Sequence, residues 1–205
     1  MTTDSAKLYA SRRVFLILLA IFVLPVAVAC LVYFAFPQWR PTGTTNYGQL
    51  LTPARPLPPL QLRDADGKAA DAGLFKGKWS MVYVGAAACA EACRTEIHLS
   101  RQVRTALNRD ARRLQRIYIA PDAAALEAAR GLFAAEHPDL LLLADAGAPG
   151  SRAADFFQPA PADTLFLVDP LGNWFMLYPP RADQPADFKG ILKDLKKLQS
   201  LSQVD

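Results

Sequence analysis

The chain has 205 residues, 52% of them hydrophobic, with 23 lysines and arginines against 19 acids and a formal net charge of +4. That length is enough for one domain with a real core plus an appendage. The modest charge, with no basic stripe interleaved with aromatics, speaks against a nucleic-acid partner, and three cysteines without a repeat speak against a zinc ribbon.

Residues 14–36, from Val14 to Phe36, form 23 uncharged positions, long enough to span a bilayer as a helix. Pro25 is tolerated in such a helix. Lys7, Arg12 and Arg13 precede the run and outnumber Asp4. The positive-inside rule therefore predicts a cytoplasmic tail over 1–13 and the following domain on the outer side, which in a bacterium is the periplasmic side of the inner membrane. Tyr33 and Trp39 stand where an outer aromatic belt would lie. Ser11 to Leu16 also matches a twin-arginine export pattern, Ala27-Val28-Ala29 looks like a cleavage site, and Cys30 resembles a lipoprotein cysteine. The apolar run continues unbroken to Phe36, which favours an uncleaved single-pass anchor. Pro37, Pro41, Gly43, Gly48, Pro53 and Pro56 then predict an irregular linker over 37–56.

A domain is expected over 57–201. Leu57–Leu62 reads as a short strand and Asp64–Gly67 as a turn. Residues 79–85 form a short apolar run suited to a buried strand, and 89–108 carry apolar residues at helical spacing. Leu114–Ala120 is the next strand, followed by a helix capped by Asp122 and running to about Glu136. Leu140–Ala144 is a strand and Arg152–Phe157 a short helical piece. Thr164–Asp169 and Trp174–Tyr178 form a hairpin, and Ala186–Leu201 a final amphipathic helix. Strands alternating with helices, then a hairpin and a closing helix, predict an α/β domain with a sheet covered on both faces.

Cys89 and Cys93 sit where the first long strand passes into its helix. Four residues apart, they share a face with Ile97, Ser100, Val103 and Leu107, so they are expected to open the first helical turn. A helix N-terminus lowers thiol pKa. The pair can close a disulfide, hold a soft metal such as Cu(I) or Zn(II), or simply be two small buried residues.

Paired cysteines after the first long strand are the thioredoxin arrangement. The chain resembles the SCO/SenC group of membrane-anchored thioredoxin-fold proteins in its single anchor, its Asp66-Gly67 turn, Phe75-Lys-Gly-Lys-Trp79, Cys89-x-x-x-Cys93 and Leu167-Val-Asp-Pro-Leu-Gly172. That resemblance implies a thioredoxin-like domain assisting cytochrome c oxidase assembly. In that group the cysteine pair binds copper or exchanges electrons during delivery to the binuclear copper centre of subunit II. It also exposes departures. Ala90 and Arg94 replace the group's prolines, Pro161 stands at its copper-ligand histidine, and Asp163 stands at the position of the thioredoxin cis-proline. An anion at Asp163 facing the thiols would raise their pKa and weaken thiolate chemistry.

The other candidate donors are few. His98, on the opposite helical side from the cysteines, reads as solvated, and His137, before Pro138, as lying at a rim of the sheet. Glu96 is angularly close to Cys93 but reads as a favourable charge at the helix start, and Glu91 as exposed. Arg94, Arg101, Arg104, Arg109, Arg112, Arg113 and Arg116 read as a solvated surface, with a docking face for an acidic partner or lipid headgroups as the alternative.

Three functions from different classes follow. One is a non-enzymatic accessory factor for the oxidase copper centre, acting with oxidase subunits or other assembly factors, with copper held by Cys89 and Cys93. Another is a thiol–disulfide oxidoreductase using the same cysteines on exported partners. The third is a thioredoxin-fold scaffold whose cysteines form only a structural bridge.

Overall fold

The computed structural model describes residues 3–36, 45–181 and 184–202, with 3–11 described by backbone alone. The chain divides into two units, Met1–Thr45 and Asn46–Asp205. The first holds helix α1, Thr3–Ala35, whose stretch Arg12–Ala35 is long and apolar enough to cross a membrane and has no buried residues. Pro25 lies within it. Cys30 is exposed, and Trp39 lies outside the described residues.

The second unit is built on a sheet of seven strands: β1 Gln49–Pro56, β2 Leu62–Arg63, β3 Trp79–Val84, β4 Leu114–Ala120, β5 Leu140–Asp145, β6 Leu165–Val168 and β7 Asn173–Tyr178. Their order is β1-β7-β6-β3-β4-β5-β2. β3, β4 and β5 run parallel, with Trp79 opposite Leu114 and Arg116 opposite Leu140. β6 returns antiparallel to β3, β7 turns back antiparallel to β6 and so runs in the direction of β3, and the edge strands β1 and β2 are antiparallel to β7 and β5. Helices α2 Glu91–Ala106, α3 Ala123–Phe133, α4 Ala153–Phe156 and α5 Phe188–Leu201 connect and cover the strands.

Alternation along the central strands sorts the core into two layers. Met81, Tyr83, Leu114 and Tyr118 join α2, α3 and α5 on one face. Val82, Ile117, Phe166 and Trp174 pack against Phe157 and the coil around Leu60 and Leu74 on the other. Strands buried on both faces read as continuous apolar runs, which is why 79–84 and 114–120 were recognisable. The expected mixed sheet, flanked by helices and covered on both faces, is what the domain shows. Three helices cover one face, and the single-turn α4 with irregular chain covers the other.

The linker expected over 37–56 ends early. Residues 49–56 are strand β1, paired with β7 from Gln49 opposite Leu177 to Pro56 opposite Asn173. Prolines are compatible with an edge strand, whose outer N–H groups need no ladder partner. Residues 57–61 are irregular instead of a strand, and only Leu62–Arg63 pairs, with Asp145 and Ala144.

The sheet has two distinct ends. β3 and β4 finish at the end that carries the 85–90 loop, and β6 begins there, with Leu165 opposite Tyr83. The chain enters this domain at the same end. Asp194 of α5 accepts hydrogen bonds from the Tyr47 and Gly48 amides at 2.9 Å, and a side chain at Gly48 would collide with Met176.

Candidate redox site at the strand–helix joint

Helix α2 starts at Glu91, two residues later than its cysteine spacing predicts. Ala90 occupies the N-cap with extended backbone, ψ −175°, and no capping side chain, so the helical turns start after it. Cys89 therefore lies in the loop and Cys93 in the first turn. The two form a disulfide, with Cα atoms 5.3 Å apart. Cys93 is buried with Ile97, Ser100 and Val103 on the sheet-facing side of α2, whereas Cys89 is half-buried at the lip. Of the two sulfurs, Cys89 is the more open to an approaching group.

Beside Cys93 opens a groove of about 420 Å³ lined by Tyr83, Ala88, Phe157, Pro161, Asp163 and Thr164, among others. Its floor comes from β3 and β6 and its far wall from the loop before β6. Gly85 is required where β3 leaves the sheet, because any side chain there would strike the Tyr118 hydroxyl. Asp163, at the position expected to face the thiols, does line this groove. It holds a left-handed φ of 57°, and its carboxylate accepts the hydroxyl hydrogen of Tyr83. Burial, followed by that carboxylate, pushes the Tyr83 phenol well above its ordinary range, and burial raises Tyr118, which stacks on it with centroids 5.7 Å apart. A cis peptide occurs in the same loop at Gln158–Pro159.

Glu96 departs from its reading as a favourable charge serving the helix start. It is 1% exposed and accepts a hydrogen bond from the Ala186 amide at 2.8 Å. Its second carboxylate oxygen is buried without a partner. Burial pushes its pKa up to about 7, the Ala186 N–H opposing and the Asp163 charge adding to the rise. Tyr83, Glu96 and Asp163 are thus three interacting ionisable groups at the sulfur end. The spacing places Glu96 angularly close to Cys93 and the resemblance marks Asp163, whereas nothing in the sequence singles out Tyr83.

The two histidines lie elsewhere. His98 is exposed, as expected. His137 is buried at the other end of the sheet, before β5, with Nδ1 at 3.5 Å from an Arg116 nitrogen. Burial, then the Arg116 charge, lowers its pKa. Arg116 is itself fully buried and donates to Ser100 Oγ, the Ile97 carbonyl and the Asp139 carboxylate. Burial raises the Asp139 carboxyl, but Arg116 and Arg104 outweigh it and the net shift is downward. The reading of the arginine run as a solvated surface therefore fails at Arg116, which ties α2 to β4 and holds the cysteine helix in place. Among the described residues no group of three His, Cys, Asp or Glu side chains converges to hold a metal ion. The donors on offer to a soft metal at this site are the two sulfurs alone.

Residues 79–202 match the family described as transmembrane-like, thioredoxin-like, C-terminal domain. No curated protein matches the chain by sequence. Its fold is similar to that of BsSco, a member of the Sco family of cytochrome c oxidase assembly proteins in which a disulfide switch has been identified. That match has a TM-score of 0.56 and 14% identity, over 73% of this chain and 96% of that one. It is also similar to Arabidopsis thaliana ScoI with copper bound, with a TM-score of 0.56, 19% identity and coverage of 71% and 98%. A SCO1/SenC family lipoprotein of Bacillus anthracis matches with a TM-score of 0.56, 18% identity and coverage of 74% and 98%.

Proposed function

The chain belongs to the transmembrane-like, thioredoxin-like, C-terminal domain family, and from its paired cysteines and its likeness to Sco folds we propose that it is a membrane-anchored accessory factor in cytochrome c oxidase biogenesis, acting through Cys89 and Cys93. The observation that carries the reading is a half-buried disulfide on the lip of a groove, at the strand–helix joint of a Sco-like fold. Such joints, where loops leave a rigid sheet, are where α/β folds present reactive groups.

The pair works as a couple. A thiolate of a partner protein attacks the Cys89 sulfur, the more accessible of the two. A partner–Cys89 S–S bond forms, the Cys89–Cys93 bond breaks, and the electron pair leaves on Cys93, which then takes a proton. A second partner thiol resolves the mixed disulfide, so the partner is oxidised and this chain holds a dithiol. Run in reverse, the dithiol reduces a partner disulfide. In the dithiol form the sulfurs are soft donors suited to Cu(I) as cargo. That cargo would rest on two thiolates, because Pro161 replaces the histidine the resemblance calls for.

Thiol–disulfide exchange with exported partners is the second reading. Asp163 favours it, because an anion lining the same groove as Cys93 discourages a standing thiolate pair while leaving disulfide exchange possible. In both readings α1 is the anchor, with residues 1–13 cytoplasmic and the domain periplasmic.

A strain lacking this chain tests the proposal. Its oxidase activity is expected to fall and to recover with the native chain but not with Cys89→Ser/Cys93→Ser. Undiminished oxidase activity in that strain would overturn the oxidase role.

A further inference from the structure

The seven arginines of residues 94–116 do not share one fate. Arg116 is buried and Arg104 pairs with Asp139 at 3.4 Å. Arg94 and Arg101 are exposed along α2. The remaining three, Arg109, Arg112 and Arg113, lie on the 3₁₀ segment Asn108–Arg113 between α2 and β4. With Lys78, just before β3, they line one concavity of about 630 Å³. Asp110 is the sole acid on its rim.

Among the described residues, Lys78, Arg109 and Arg112 form no ion pair. Arg113 is held differently. It donates to the Gln199 carbonyl at 2.9 Å, the Ser202 carbonyl at 2.9 Å and Ser202 Oγ at 3.1 Å. All three acceptors are neutral, so its orientation is fixed while its charge stays uncompensated. Like charges gathered this way repel one another, and packing keeps them together. Leu107 and Leu114, on either side of the segment, are buried, and the Gly77 amide donates to the Pro170 carbonyl at 2.9 Å.

We propose that this basic concavity is a docking surface for an acidic segment of a partner protein. Planar guanidinium groups in a recess match carboxylate side chains, which accept two parallel N–H bonds. Four separate cations from two segments suit successive carboxylates of an acidic segment better than the single phosphate of a lipid headgroup. The concavity lies at the end of the sheet where β3 and β4 begin, and the chain enters the domain at the other end, beside Met176. The six residues of β3 put the two ends about 20 Å apart. The entry end mixes both signs, Glu91 and Asp163 with Arg94 and Arg181, whereas the concavity gathers four bases against one acid. An acidic partner is steered to that concentration of positive charge. Docking there leaves the disulfide groove open.

Binding of a labelled oligoglutamate peptide to the full chain in neutral detergent tests this. Saturable binding is expected, weakening as salt rises. Arg109→Ala/Arg112→Ala is expected to lower affinity about tenfold, whereas Arg94→Ala/Arg101→Ala, which removes equal charge from α2, leaves it unchanged. Should the first variant not fold, Lys78→Ala, on a separate segment, is expected to lower affinity about threefold. Absence of binding, or equal loss in both double variants, would overturn the proposal. So would competition by glycerol phosphate as strong as by unlabelled peptide, which would mark a headgroup site. The assay reads neither thiols nor oxidase, so its failure is separable from failure of the proposed function.

Discussion

Glu96 is an acid placed where its charge is costly. An isolated ionised carboxylate loses its hydration on burial, and the usual response is to keep the proton. Here one oxygen has the Ala186 amide and the other has nothing, and the pKa rises from 4.5 to about 7. The sign of the consequence is fixed. Between those two values the folded chain holds a proton that the unfolded chain has released, so stability falls as pH rises across the window and stays reduced above it. Glu96→Gln keeps an acceptor for Ala186 and is neutral at every pH. The variant is expected to exceed the native chain in stability near pH 8, by up to about 3 kcal/mol, and to match it near pH 4. Thermal unfolding of both proteins across that range checks this, and a stability difference that does not change with pH would contradict it. The burial was not legible in the sequence. The amide that Glu96 meets lies ninety residues further along the chain, and helical spacing alone places the residue only at the margin of the buried face.

At the scale of elements, the sequence was most informative where burial is complete. Leu114–Ala120 and Trp79–Val84 announce themselves because both faces of each strand are packed. Strand β1 is hidden in the sequence because Pro53 and Pro56 break most structure and are tolerated here only by its edge position. Its start depends on a tertiary feature, the buried Asp194 carboxylate, which accepts from the Tyr47 and Gly48 amides and from the Tyr178 hydroxyl at 3.2 Å. Asp194→Ala would strand those donors, each at a cost of about 1–3 kcal/mol when buried. The expected outcome is faster hydrogen exchange over Gln49–Pro56 and at the start of α5, with β3 and β4 still protected. Uniform loss of protection across the sheet would show instead that β1 and the centre unfold as one unit. Helix α2 shows the opposite case. The spacing of Cys93, Ile97, Ser100, Val103 and Leu107 marks its buried face but not its first residue, because Ala90 is extended and Cys89 stays in the loop.

On the scale of the whole domain, the sulfur pair and the basic concavity lie at opposite ends of one sheet. The sulfur pair, the groove, Tyr83, Glu96 and Asp163 share the end where the parallel strands finish, and Lys78 with Arg109, Arg112 and Arg113 shares the other. The cysteine spacing was enough to find the first end. The second needed the fold, because Lys78 and Arg109 are thirty-one residues apart and meet only through the pairing of Trp79 with Leu114. Everything proposed for the sulfur end depends on Cys89–Cys93 being a working couple and not a staple. Its midpoint potential, measured on the full chain in detergent by equilibrating with graded dithiol buffers and counting alkylated Cys89 and Cys93 by mass, tests that directly. A half-buried Cys89 at a groove predicts reduction of the folded protein with a potential above about −300 mV. A potential below that value, or thiols that alkylate only after unfolding, would contradict the account and leave a structural bridge.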